Sequence, residues 1–190
     1  MNRPRVVLML LISVVVSPSW AIAQESSSAC PRDVSFWAEQ CEGYRAEICP
    51  DGMQRLARQV MDRSHIGQWR RSDGSFQSRA DLVALSDSSL VTALCTQLEE
   101  RDDSRDRSEA EYIALLLNVS VGALPLDSQI SYTGPEGIGK LVDALEKDLN
   151  QNSNLDTWQQ IVEQVNQGHI DAPECPDPDQ IFRHVSPCGD

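Results

Sequence analysis

Apolar residues recur at helical spacing along most of this chain. In MQRLARQVMDRS, Met53, Leu56, Ala57, Val60 and Met61 fall at i, i+3, i+4, i+7 and i+8, which predicts an amphipathic helix. Upstream, CPRDVSFWAEQC places Val34, Trp37 and Cys41 on one face of a short helix, with Asp33 positioned as its N-cap. A turn at Cys49-Pro50-Asp51-Gly52 separates the two. Residues 67–77, GQWRRSDGSFQ, read as a turn-rich connection around Asp73-Gly74. SRADLVAL then predicts a short helix capped by Ser78. SLVTALCTQLEE repeats Leu90, Leu94 and Leu98 on one stripe beside Val91 and Cys95, so Cys95 faces inward, where a helix can be joined to a neighbour.

Polarity then rises sharply. Residues 99–111, EERDDSRDRSEAE, mix charges of both signs and read as a solvated helix end or loop held by weak local pairs. The next segment, AEYIALLLNVSVG, is the most apolar outside the N-terminus. Ala110, Ile113, Ala114, Leu117 and Val121 line one face, and Leu115 and Leu116 widen it. A helix apolar over so much of its girth belongs at the centre of a bundle, and Gly122 ends it. Asn118-Val119-Ser120 is formally a glycosylation sequon, but it lies in this central helix, where the acceptor would be buried.

Ile130 and Tyr132 give one brief alternation before a Gly-Pro stop, too short for an independent strand. GIGKLVDALEKDL then sets Ile138, Leu141, Val142, Leu145 and Leu149 in helical register. TWQQIVEQVNQG follows with Trp158, Ile161, Val162 and Val165, capped by Asp156 and closed by Gly168. Pro173, Pro176, Pro178 and Pro187 prevent regular structure in the last segment. The pattern therefore predicts an all-α fold: an irregular bundle of about six helices, with a disulfide-tethered Pro-rich C-terminal tail.

The N-terminus has a different purpose. Arg3 and Arg5 precede the apolar run Val6–Val16, Pro18 breaks it, and Ala21-Ile22-Ala23 offers small residues for cleavage. This is the pattern of a secretory signal peptide, too short to be a comfortable membrane span. The expected organisation is a signal peptide at 1–23, a polar leader at 24–29, a helical domain at 30–171 and a Pro/Cys-rich tail at 172–190 packed on it. Export to a periplasm or out of the cell follows, with no membrane association after cleavage.

Composition sharpens this reading. All six cysteines, Cys30, Cys41, Cys49, Cys95, Cys175 and Cys188, lie beyond the cleavage site. An even number in an exported chain predicts disulfides, and no C-x2-C spacing favours zinc instead. The sequence alone does not fix the pairing. The expectation taken forward joins Cys41 to Cys95 and leaves the tail cysteines to hold Cys30 and Cys49. Residues 1–23 carry two basic groups and no acid, so their removal takes the net charge from −13 to −15. Such acidity disfavours nucleic acid and anionic membranes as partners and favours cations or a basic protein partner.

The opening CPRDVSFWAEQC resembles that of a group of exported bacterial proteins of unknown function. The matching positions are Cys30, Pro31, Phe36, Trp37, Gln40 and Cys41. The apolar helix Glu111–Leu124 and the late Cys175 extend the resemblance, whereas Ser35 stands where the group often has glycine. The resemblance implies export and a helical architecture, and no activity. Independently of it, two cysteines flanking a Phe-Trp pair form a compact clamp on a core.

Candidate chemistry is sparse. DLNQNSNLDTWQ puts oxygen-bearing side chains from Asp148, Asn150, Asn152, Asn154, Asp156 and Gln159 near the rhythm of a calcium loop, with Leu155 at the eighth position. Ser153 replaces the turn glycine and Gln159 the bidentate glutamate, so the stretch also reads as a capped hinge between two helices. His65, His169 and His184 stand apart, and neither H-E-x-x-H nor G-x-S-x-G is present. No catalytic set and no cofactor is expected, calcium being the one weak candidate. The leading expectation is a non-catalytic binding or envelope-associated domain. The alternatives are an acidic inhibitor or immunity-type protein that blocks a basic cell-wall enzyme, or a small glycan hydrolase using paired acids.

Overall fold

The computed structural model describes residues 31–45, 50–99, 103–130 and 137–168. In chain order these form α1 (Val34–Arg45), α2 (Pro50–Arg63), β1 (Gln68–Arg70), β2 (Phe76–Ser78), α3 (Arg79–Val83), α4 (Asp87–Gln97), α5 (Ser104–Ser120), α6 (Ile138–Gln151) and α7 (Leu155–Asn166). The expected irregular helical bundle is the observed fold, with seven helices among the described residues rather than about six. The segments expected to be a signal peptide, a polar leader and a Pro/Cys-rich tail lie outside the described residues. So do Cys30, Cys49, Cys175, Cys188, His169 and His184.

Local chemistry sets most helix ends. Asp33 Oδ1 accepts from the Phe36 amide at 2.9 Å and starts α1. Ser78 accepts from the Asp81 amide at 3.2 Å and starts α3, and Ser86 caps α4 in the same way. α2 begins at Pro50, earlier than the periodicity suggests, because proline is well suited to a first helical turn. Gly122, at φ +80°, lets the chain turn back so that the Ala123 amide reaches Asn118 O at 2.9 Å and closes α5. α6 lacks a side-chain cap. Its first amides use backbone instead, Ile138 N donating to Ser128 O at 3.0 Å and Gly139 N to Leu126 O at 2.9 Å.

Two expectations are corrected. Residues 68–78 form a two-stranded antiparallel hairpin, with Gln68 opposite Ser78, Trp69 opposite Gln77 and Arg70 opposite Phe76. Each strand has only three residues, too few for alternation to register, and only Trp69 among them is buried. The Asp73-Gly74 turn is built by Asp73 Oδ1 accepting from the Ser75 amide at 2.9 Å. The second correction concerns the mixed-charge run, whose later part is the first turns of α5. Asp106, Ser108 and Glu109 are buried there rather than solvated.

α5 occupies the middle and packs against α1, α2, α4, α6 and α7. One contiguous apolar core runs through the bundle, drawing residues from every helix. Each fully buried leucine of α5 contributes roughly 2 kcal/mol of transfer free energy. A disulfide joins Cys41 of α1 to Cys95 of α4, the pairing expected from the inward face of α4. Among the described residues no helix is long and apolar enough to cross a membrane.

Candidate functional site

The oxygen-rich stretch 148–159 spans the end of α6, a short link and the start of α7. Asp148 Oδ1 accepts from Ser153 Oγ at 3.1 Å, and Oδ2 accepts from the Trp158 indole N–H. Asn150 faces another part of the molecule. Its Oδ1 accepts from the Gly67 amide at 2.8 Å, and its Nδ2 donates to His65 O at 3.2 Å. Asn152 Oδ1 accepts from Arg105 at 3.2 Å. Asn152 and Asn154 adopt left-handed backbone (φ +52° and +53°), and Asn154, not Asp156, is the residue preceding α7. Gln159 is partly buried within α7. The ligand spacing is thus divided among separate hydrogen-bonding tasks that brace the α6–α7 junction. Among the described residues, no group of three or more His, Cys, Asp or Glu side chains could hold a metal ion.

Buried polar groups cluster elsewhere. Asn118, in the apolar stretch of α5, is fully buried and meets four partners. Its Oδ1 accepts from the Arg32 amide at 2.8 Å and the Trp37 indole at 3.2 Å. Its Nδ2 donates to Arg32 O at 2.8 Å and to Asn166 Oδ1 at 3.0 Å. Asn166, also fully buried, donates to the carbonyl and carboxylate of Glu111 at 3.0 and 2.8 Å. Burial pushes the Glu111 carboxyl up to about 7. The Asn166 amide partly opposes that shift, and the nearby Glu163 and Asp33 add to it.

A second cluster centres on Glu146 of α6. Oε1 accepts from the Tyr112 hydroxyl and from the His65 amide at 2.9 Å, while Oε2 lies 3.4 Å from His65 Nδ1. The His65 ring is exposed and the Tyr112 ring is buried. Burial first, and then the adjacent carboxylate, hold the Tyr112 hydroxyl well above its ordinary range. A third set opens α5: Arg70 pairs with Asp106, and Arg105 Nε donates to Glu109 at 2.8 Å and stacks over the Phe76 ring. Arg105 therefore ties the hairpin to the α6–α7 link through Asn152. The buried carboxyls Asp106, Glu109, Glu146 and Asp148 all have hydrogen-bond partners within the bundle.

The described surface also carries a cleft of about 310 Å³ between the hairpin and α3–α4. Trp69, Gln77 and Arg71 come from the hairpin side, and Leu85, Thr92 and Thr96 from the helical side. The Thr92 and Thr96 hydroxyls donate to carbonyls one turn back, and the exposed Thr92 oxygen keeps lone pairs that can accept. Trp69 Nε1 is buried and has no hydrogen-bond partner among the described residues. Trp37 and Trp69 are 0% and 2% exposed, so neither offers a ring face for stacking on sugar.

No family model matches this chain, and neither a curated protein nor a solved structure shows significant similarity to it. Residue chemistry and geometry therefore carry the functional reading.

The sequence did hold a signal for the polar clusters, though not for their partners. Asn118, Glu146 and Asn166 each stand four residues after an apolar core position, Ala114, Val142 and Val162, and so occupy inward-facing register. A polar residue in that register requires a partner. The cleft left no comparable trace, because its lining comes from four elements, β1, β2, α3 and α4.

Proposed function

We propose that this is an exported, disulfide-stabilised acidic domain that acts by binding another macromolecule, using the cleft between the hairpin and α4. The supporting observation is a division of labour among its polar groups. The buried carboxyls are engaged inside the bundle, whereas the cleft presents the Arg71 guanidinium, the Gln77 amide and the exposed Thr92 hydroxyl around an apolar floor. The Cys41–Cys95 disulfide suits an oxidising compartment, as does the signal-like N-terminus.

Affinity capture from a native envelope with the oxidised protein, beside two variants, tests this reading. Thr92→Arg fills the cleft at an exposed position, and Gln160→Arg alters an exposed site on α7. A partner retained by wild type and Gln160→Arg but lost by Thr92→Arg supports it. Equal retention by all three removes the cleft from the proposal, and turnover of cell-wall polymer by the purified protein removes the non-catalytic role.

The net charge of −13 favours a second reading, an acidic inhibitor of a basic cell-wall enzyme. Binding to such an enzyme would then weaken steeply with added salt. Affinity indifferent to ionic strength would exclude it.

A further inference from the structure

Glu111 sits where three elements meet, and its surroundings set two of them against each other. From α7 come the Asn166 amide, bonded to it at 2.8 Å, and the Glu163 carboxylate. From the start of α1 comes Asp33, whose Oδ1 already accepts from the Phe36 amide. Asn118 extends the same network to Arg32 and Trp37, so α1, α5 and α7 share one buried hydrogen-bonded unit. The Arg32 guanidinium lies 5.0 Å over the Phe36 ring.

With a proton on Glu111, the junction holds a neutral carboxyl bonded to an amide and flanked by two carboxylates. Without it, three carboxylates crowd one partly buried site, and the Asn166 amide donates to Glu111 there. The strain can be relieved by separating α5 from one of its neighbours. α1 is bound covalently to α4 through Cys41–Cys95. α7 is held to the described bundle by packing of Leu155, Ile161, Val162 and Val165 and by side-chain hydrogen bonds. The release therefore falls on α7.

We propose that docking of α7 onto α5 is proton-linked: protonated Glu111 holds α7 closed, and loss of the proton loosens it. The direction follows from the site, since the closed state binds the proton more tightly than the open one. A Glu111 carboxyl that titrates near 7 when closed and near 4.5 when solvated places the change within the ordinary working pH range. Loosening uncovers the apolar faces of α7 and of the part of α5 beneath it.

Hydrogen exchange of α7 amides, corrected for intrinsic rate and followed from mildly acidic to mildly alkaline pH, tests the proposal. In the wild-type protein, α7 protection is expected to fall by about tenfold or more relative to α4 amides. In Glu111→Gln the pH dependence disappears and α7 stays protected. In Glu163→Gln the wild-type change moves to lower pH, because the removed carboxylate helps to raise the Glu111 carboxyl. Wild-type α7 protection that tracks α4 at every pH overturns the proposal, and so does an unchanged pH dependence in Glu111→Gln.

Discussion

The Asn118 side-chain amide donates to the Asn166 side-chain oxygen at 3.0 Å, joining the last turn of α5 to the last turn of α7 inside the core. Each residue is fully buried, and the pair satisfies groups on both sides of the bundle. Truncating Asn118 strands the Trp37 indole, both backbone groups of Arg32 and one oxygen of Asn166. Asn118→Ala is expected to cost about 3 kcal/mol, because buried unsatisfied groups cost more than the bonds they lose. Urea unfolding of wild type and variant measures this, and a loss of less than about 1 kcal/mol would contradict it.

The Cys41–Cys95 bridge closes a separation of 54 residues. Replacing both cysteines by alanine is expected to lower stability by about 4 kcal/mol, mainly through the freer unfolded chain. Peptide mapping without reduction must recover residues 41 and 95 in one linked fragment. Recovery of either cysteine joined elsewhere contradicts the fold.

Glu111 makes stability depend on pH in a defined direction. Its folded value of about 7 exceeds its ordinary 4.5, so the folded state holds the proton more tightly. The stabilisation is full below 4.5, falls as pH rises, and is lost above about 7. Relative to Glu111→Gln, wild type should lose on the order of 3 kcal/mol across that window. Paired denaturant titrations isolate the effect from other acids, and parallel curves for the two proteins would refute it.

Tyr112 carries the opposite end of the pH scale. Its hydroxyl donates to Glu146 in the core, and its ionisation is held well above the ordinary range of 10. The folded protein should keep this phenol protonated until unfolding, so phenolate absorbance rises in two stages, the later one cooperative with loss of helix. Tyr112→Phe should cost about 2 kcal/mol and remove the later stage. A single smooth titration in wild type would count against the buried pair.

The 148–159 stretch braces helices through its oxygens. Millimolar calcium should leave the melting temperature unchanged, since a ligand stabilises only the state that binds it. Asn150→Ala should cost about 1 kcal/mol by releasing Gly67 and His65 from α6. A calcium-dependent rise in melting temperature would restore the metal-loop reading.

Much of the fold was legible along the chain because its signals are short-range. The 3.6-residue period placed Met53–Met61, Leu90–Leu98 and Leu141–Leu149 on helices, and Asp33, Ser78 and Gly122 marked ends within one turn of the groups they satisfy. The hairpin escaped because three-residue strands carry too little alternation, and Arg105 and Asp106 escaped because charge alone suggested solvent. Their burial depends on Phe76, Arg70 and Asn152, which arrive from distant segments.

By itself, then, the sequence determined the helices, their inward faces and the inward placement of Cys95, all fixed by residues a few positions apart. Only the tertiary structure decided which groups meet. Asn118 finds Arg32 across 86 residues, Tyr112 finds Glu146 across 34, and Glu111 faces acids from α1 and α7. Such pairings depend on how the helices pack, and a one-dimensional pattern records the need for a partner without recording the partner.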